Sequence, residues 1–339
     1  MHIANAPCSW GILEFESTAV APGSAQVLDE IAATGYAGTE LGDWGFLSTD
    51  PAQLRADLTA RELNIVGAFV PVALSDPTRH AEGEALAVKT ARLLAAVSTT
   101  VVPSFGEITS NAETAEPAEK ERLRISQRAL RALRSNAGRS TVPTIVLSDA
   151  PAIVPWRTAK AGRIEPEDGL TEADWTRVAA GAGVIARAVR DETGLRTAFH
   201  PHCATYVETP AEIAALMERT PPDLLGLCLD TGHATYGGGD PAALLDRYAS
   251  RVWHVHFKDC SAKVAARARA EGWDYITAVR HGLFCELGQG TVDFAGIAAQ
   301  LRGLGYDGWI VVEQDVLPAL GTPADSAARN RRFLRQLGL

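Results

Sequence analysis

The chain has 339 residues, 46% of them hydrophobic and 22% charged, enough to bury a large core and suited to one domain of α/β-barrel size. Acidic residues outnumber basic ones 41 to 32, a formal net charge of -9, so no broad attraction to nucleic acid or to an anionic membrane surface is expected. Five cysteines, at positions 8, 203, 228, 260 and 285, are an odd number with no CxxC pair, and no signal-like or membrane-length apolar stretch occurs, which predicts a cytoplasmic protein without a disulfide framework.

Strand-like apolar runs alternate with helical stretches in the order expected of repeated βα units around a parallel sheet. The first strand is read at 2–7, a helix at 24–34, and a second strand at Gly38-Thr39-Glu40-Leu41-Gly42. Asp50-Pro51 starts a helix at 51–62, which leads into a strand at 65–73 and a helix at 82–96. Both 99–105 and 143–148 then look like strands, one too many for an eight-stranded barrel. We read 98–141, whose second half carries Arg122, Arg124, Arg128, Arg131, Arg134 and Arg139, as an insertion with a solvated basic helix, and the run at Thr144 as the fourth strand.

Residues 151–170, rich in Pro, Gly and charge, form a long loop at the carboxyl end of that strand, where loops of this length often cover a site. The order is clean from there on. A helix at 171–191 precedes a strand at 197–200, a helix at 210–219 precedes a strand at 224–230, and a helix at 240–249 precedes a strand at 252–257. A long loop with a short helix occupies 258–295, followed by a helix at 295–304, a strand at 309–313 and a closing helix at 324–337. The predicted fold is a single (β/α)8 TIM barrel spanning 1–339.

In such a barrel the carboxyl ends of the strands converge, so polar residues placed there meet in one pocket. His200, Asp230, His256 and Glu313 end four consecutive strands. One strand-end histidine is ordinarily a hydrogen-bonded structural residue, but four such groups together point to a metal site. Two imidazoles with two carboxylates suit a divalent transition metal, Mn2+, Co2+, Fe2+ or Zn2+, with manganese placed first, rather than the all-oxygen shells of Ca2+ and Mg2+. His202 lies two residues beyond His200 and faces the same side by strand alternation, which leaves the first ligand open between them.

His202, His233, Lys258 and Glu40 form a second layer able to supply acid and base, with orientation of the ligands as the alternative role. Lys258 and Asp259 are read either as a mutual ion pair or as part of the site, Asp259 as a substrate contact. Trp10 is placed at the rim for stacking on a sugar ring. His254 is read as facing away from His256 and packing against a helix.

The runs Ala6-Pro7 with Trp10-Gly11, Gly35 to Gly42, His200-Pro201-His202, Asp230-Thr231-Gly232-His233, His254 to Asp259, Leu287-Gly288-Gln289-Gly290 and Val312-Glu313-Gln314-Asp315 resemble the xylose-isomerase-like TIM barrels, and within them the inosose dehydratases. The resemblance covers nearly all the chain except 98–170. It implies strand-borne metal ligands, carried over to His200, Asp230, His256 and Glu313, and a lyase that dehydrates a cyclic keto-polyol such as 2-keto-myo-inositol through a metal-stabilised enediolate.

The histidine pair at 200 and 202 departs from the Glu-Asn-His segment of many isomerases and epimerases, and removes a base that epimerases use. A keto-sugar isomerase or epimerase is the second reading, and a lyase cleaving 3-keto-glycosides a third. A metal-bearing scaffold subunit and a nuclease on the same barrel are the remaining classes, the nuclease disfavoured by the acidic charge. The expected partner is a small keto-sugar or keto-inositol, with neither nucleic acid nor membrane; self-association into a homo-oligomer is left open.

Overall fold

A computed structural model describes residues 1–12, 22–98, 142–315 and 321–339. Eight parallel strands close into a barrel: β1 (His2–Asn5), β2 (Gly38–Glu40), β3 (Asn64–Val72), β4 (Thr144–Asp149), β5 (Arg196–Phe199), β6 (Leu225–Asp230), β7 (Val252–Phe257) and β10 (Trp309–Val312). β10 pairs with both β7 and β1, so no barrel edge is left open. The fourth place goes to Thr144–Asp149, as expected; the competing run at 99–105 and the basic stretch of the insertion lie outside the described residues.

The strands sit within one or two residues of their sequence-read positions because each is bounded by turn-forming or capping residues. Asp50 accepts the backbone N–H of Gln53 at 2.7 Å with Pro51 at the first helical position, which starts helix Pro51–Thr59. Thr209 and Glu212 form a reciprocal capping box before helix Pro210–Arg219. The apolar faces of these and the other outer helices pack on the outward side chains of the strands, among them Ile145, Leu147, Phe199, Leu227, Leu229 and Val255. The inward side chains form smaller clusters, Ala4, Ala6, Val66 and Val311 on one side and Val146, Ala198 and Cys228 on the other. By alternation, Ala198, Cys228 and Val311 share their faces with His200, Asp230 and Glu313 two residues on. Those polar groups therefore point into the barrel mouth.

Two loops are more structured than the sequence suggested. The 151–170 segment holds helix Pro155–Lys160 and a 3-10 turn at Pro166–Asp168. It is fastened sideways: Arg157, fully buried, pairs with both carboxylate oxygens of Glu212 at 2.8 and 3.0 Å and donates to the Thr205 carbonyl at 2.7 Å. None of its residues lines the cavity described below. The 258–295 segment contains two helices, Ala262–Glu271 and Tyr275–Arg280, and an antiparallel ribbon, β8 (Asp259–Cys260) with β9 (Phe284–Cys285). Among the described residues no helix is long and apolar enough to cross a membrane.

Candidate metal centre and cavity

At the carboxyl ends of the strands a cavity is lined by Glu40, Phe69, His200, His202, Lys258, Glu313 and Asp315, with Ala6, Pro7, Cys8, Ile12, Gly42 and Asp43 around them. His200, Asp230, His256 and Glu313 meet at its base, with one ligand-type atom from each within 4.8 Å of all the others. The His200 Nε2 lies 3.4 Å from Asp230 Oδ2, and His256 Nδ1 lies 3.8 Å from the same oxygen and 3.2 Å from Glu313 Oε1. All four are buried.

The register explains the convergence. Asp230 and His256 are direct partners across β6 and β7, and Glu313 follows β10 on the inward face. Asp230 also caps a short helix, Thr231–Tyr236: its Oδ1 accepts the His233 backbone N–H at 2.7 Å, leaving Oδ2 to the imidazoles. The rest of that motif serves the same corner. Thr231 Oγ1 donates to the Lys258 carbonyl at 2.7 Å and accepts from its N–H at 3.0 Å. Gly232 has no side chain because a Cβ there would stand 2.7 Å from Lys258 Cγ.

The donor set fits a divalent transition ion. It offers two imidazoles and two carboxylates, and the Nδ1 atoms of His200 and His256 are buried without a hydrogen-bond partner. A buried polar atom left so costs about 1–3 kcal/mol unless something fills its lone pair or takes its proton. Burial alone would raise the Glu313 carboxyl, but the His256 imidazole and the Lys258 ammonium hold it well below the usual carboxylate range. Burial lowers His200.

Above this base stand the proton-carrying groups. The rings of His202 and His233 lie 3.8 Å apart, and the Cys203 backbone holds both. Its carbonyl accepts from His202 Nδ1 at 2.6 Å, and its N–H donates to His233 Nδ1 at 3.2 Å. These bonds assign opposite tautomers: His202 presents a lone pair at Nε2, His233 an N–H there. Burial, helped by His202 and Lys258, pushes His233 well below its ordinary value. Lys258 Nζ lies 3.3 Å from Glu313 Oε2, 3.4 Å from Asp315 Oδ1 and 3.4 Å from His233 Nε2. Burial works against its charge, but Asp315 and Glu313 overcome that and raise its pKa well above the usual lysine value.

Glu40 lines the cavity beside the cluster, its Oε1 2.7 Å from His254 Nε2 and 3.1 Å from His256 Nε2. Against the upward push of burial, those two imidazoles bring its carboxyl down to about 2.

Three expectations are corrected. His254 faces into the barrel with His256, because residues two apart in a strand share a face. Trp10 is not at the rim: it is 2% exposed within the core, and its Nε1 donates to Glu30 Oε2 at 2.6 Å. Closing an aromatic ring into a core is worth several kcal/mol, more than an exposed stacking position returns. Asp259 neither pairs with Lys258 nor reaches the cavity; its carboxylate accepts the backbone N–H groups of Cys260, Gly288, Gly290 and Val292 at 2.8–3.1 Å and so anchors the loop. His281 stacks on Trp273, with ring centroids 4.3 Å apart, and does not line the cavity.

Asp315 and Phe69 were missed. Asp315 was legible, since it lies two residues past Glu313 and shares its inward direction; Phe69, on β3 with its ring edge-on to His200 at 5.9 Å, carried no polar signal.

The sequence profile of the xylose isomerase-like TIM barrel family matches residues 28–337. The chain belongs to this family. It is an enzyme of this xylose isomerase-like group. An inosose dehydratase of Geobacillus kaustophilus (strain HTA426) is 31% identical over 336 residues, covering 99% of this chain and 94% of the relative. An inosose dehydratase of Lacticaseibacillus casei is 28% identical over 309 residues, covering 91% and 88%. Among solved structures, the fold of this xylose isomerase-like barrel matches a 3-keto-D-glucoside 4-epimerase from E. coli with a TM-score of 0.62 at 17% identity, covering 99% of each chain. A probable 3-DHS dehydratase from Bacillus anthracis matches with a TM-score of 0.57 at 12% identity, also covering 99% of each.

Proposed function

We propose that this enzyme is a divalent-metal-dependent lyase that removes water from a cyclic keto-polyol such as 2-keto-myo-inositol. The observation that carries the reading is the buried His200, Asp230, His256 and Glu313 cluster, with two unpartnered imidazole nitrogens, beside a cavity lined by a charged lysine, Lys258, and by His202. The full-length relatives named inosose dehydratase support the choice of reaction.

A divalent ion held by these four residues would polarise the substrate ketone and so acidify the neighbouring C–H. The rest falls to the chain's own groups. His202, whose Nδ1–H is tied to the Cys203 carbonyl, offers Nε2 as the base that takes the α-proton. Lys258, kept charged by Glu313 and Asp315, donates a proton to the departing β-hydroxyl, which leaves as water. His233 packs against the His202 ring and lies 3.4 Å from Lys258 Nζ, behind both.

The keto-sugar epimerase reading is the alternative that the fold neighbours favour. It needs a base on each face of the substrate carbon, whereas the first strand-end position here carries a histidine committed to the cluster. The test is incubation of the Mn2+-loaded protein with 2-keto-myo-inositol, with product followed by ultraviolet absorbance and mass. A product 18 mass units lighter, about one water, supports the lyase. A product of unchanged mass overturns it in favour of isomerisation, and inertness toward keto-inositols but turnover of 3-keto-glycosides replaces the substrate class.

A further inference from the structure

We infer that Glu40 and His254 form a buried positioning pair that holds the His256 imidazole as a ligand through Nδ1, so that Glu40 acts on the ring and not on the substrate. This rests on the reading above that His200, Asp230, His256 and Glu313 bind a metal ion.

The geometry is specific. His256 Nε2 donates to Glu40 Oε1 at 3.1 Å, and a neutral imidazole that donates from Nε2, the form a metal ligand takes, presents its lone pair at Nδ1. Nδ1 is the atom that is buried, without a hydrogen-bond partner, and turned toward Glu313 Oε1 at 3.2 Å and Asp230 Oδ2 at 3.8 Å. His254 shares the same carboxylate oxygen at 2.7 Å, and its ring stands edge-on to His256 at 76° with centroids 5.2 Å apart. One neighbour therefore fixes the tautomer and the other blocks ring rotation.

The barrel is built to let Glu40 reach that position. Glu40 lies on β2 and the histidines on β7, strands that do not pair, so the carboxylate crosses the interior. The β2–β3 register shifts between Thr39 and Glu40, and Glu40 then pairs with Gly67. A Cβ on Gly67 would stand 3.1 Å from Glu40 Oε1 and 3.0 Å from the Thr144 carbonyl, tighter than the carboxylate accepts without moving. Carboxylate partners of metal-bound histidines set ring orientation and basicity, and their loss typically weakens metal binding about 10–100-fold.

The test is Co2+ binding by competition with a chelating dye, together with the visible absorption of the Co2+-loaded protein, on the parent, Glu40→Ala and Glu40→Gln, each first checked for folding by circular dichroism without metal. Glu40→Ala is expected to bind Co2+ about 10–100-fold more weakly with an altered spectrum. Glu40→Gln, which keeps a carbonyl oxygen for both N–H donors, is expected to lie between it and the parent. Parent-like affinity and spectrum in both variants overturn the inference and return Glu40 to the substrate side. Should Glu40→Ala not fold, Glu40→Gln alone decides: a shifted spectrum with weaker binding supports the pair, an unchanged one overturns it. A parent that binds no Co2+ overturns the metal reading itself and the inference with it, which separates that failure from parent-like binding in the variants.

Discussion

Asp230 and His233 are joined by a 2.7 Å hydrogen bond from the His233 backbone N–H to Asp230 Oδ1, so one carboxylate starts a helix while its other oxygen faces the two ligand-type imidazoles. The two jobs can be pulled apart. Asp230→Asn keeps an oxygen for the cap and loses the charge; Asp230→Ala loses both. Elemental analysis is expected to find metal lost from both variants, while denaturant unfolding without metal shows only Asp230→Ala weakened by the missing cap, about 1 kcal/mol. Full metal content in Asp230→Asn would contradict this.

Ligand removal should act on stability as well as activity. A metal that binds only the folded protein stabilises it by about 2.7 kcal/mol at a free concentration one hundred times its Kd. Dialysis against a chelator is therefore expected to lower the Tm, and Mn2+ is expected to restore it in the parent but not in Asp230→Asn. Equal restoration in both would place the binding elsewhere.

Gly232 leaves room for Lys258. A Cβ at 232 would meet Lys258 Cγ at 2.7 Å and Cβ at 2.9 Å, so Gly232→Ala displaces the lysine without touching a ligand. Metal content should stay at the parent level while kcat drops, on the order of a hundredfold for a displacement near 1 Å. Parent-like kcat would show that the ammonium does not take part.

Arg157 and Glu212 form a bidentate pair with side-chain exposures of 0% and 7%, joining the 151–170 segment to the start of helix Pro210–Arg219. Removing the arginine strands a buried carboxylate, so Arg157→Ala should cost about 3–5 kcal/mol in denaturant unfolding. A loss near 1 kcal/mol would mean that water reaches Glu212 once the arginine is gone.

The contributions of Glu208 and Asp149 to stability should fall as pH rises from mild acid to neutrality. Burial pushes the Glu208 carboxyl up to about 7 although it accepts N–H groups from Gly162 and Ala204, and burial pushes Asp149 up to about 6. A raised acid binds its proton more tightly folded than unfolded; its contribution is complete below the unfolded value of about 4.3 for Glu and is lost as pH climbs through the folded one. For Glu208 that span is worth roughly 4 kcal/mol at most. Urea midpoints at pH 5 and 8 should differ less in Glu208→Gln than in the parent, and an equal difference in both would remove Glu208 as the cause.

Much of the barrel was readable because strand and helix periods, and caps such as Asp50-Pro51 and Thr209 with Glu212, are local properties of a few adjacent residues. The cluster of His200, Asp230, His256 and Glu313 was readable for a related reason: a polar residue at a strand end has one place to go once the barrel closes. Trp10 and Asp259 show where that reasoning stops. Trp10 is followed by a turn at Gly11, which left its ring free, on sequence alone, to face rim or core; contact with Glu30, twenty residues away, settles it. Asp259 sits beside Lys258, yet the lysine is claimed by Glu313 and Asp315 and the aspartate by four backbone N–H groups of its own loop. For His254, strand alternation alone placed it beside His256.

The sequence by itself determined the kinds of element, their order and the identity of the polar groups carried to one end of the barrel, since these follow from local backbone preference and from burial of apolar faces. Only the tertiary structure decided which atoms meet: that Glu40 crosses the barrel to hold His254 and His256, and that Cys203 sets opposite tautomers in His202 and His233. Such choices depend on distances across a closed barrel, between groups separated by up to 216 residues, and no local pattern encodes them.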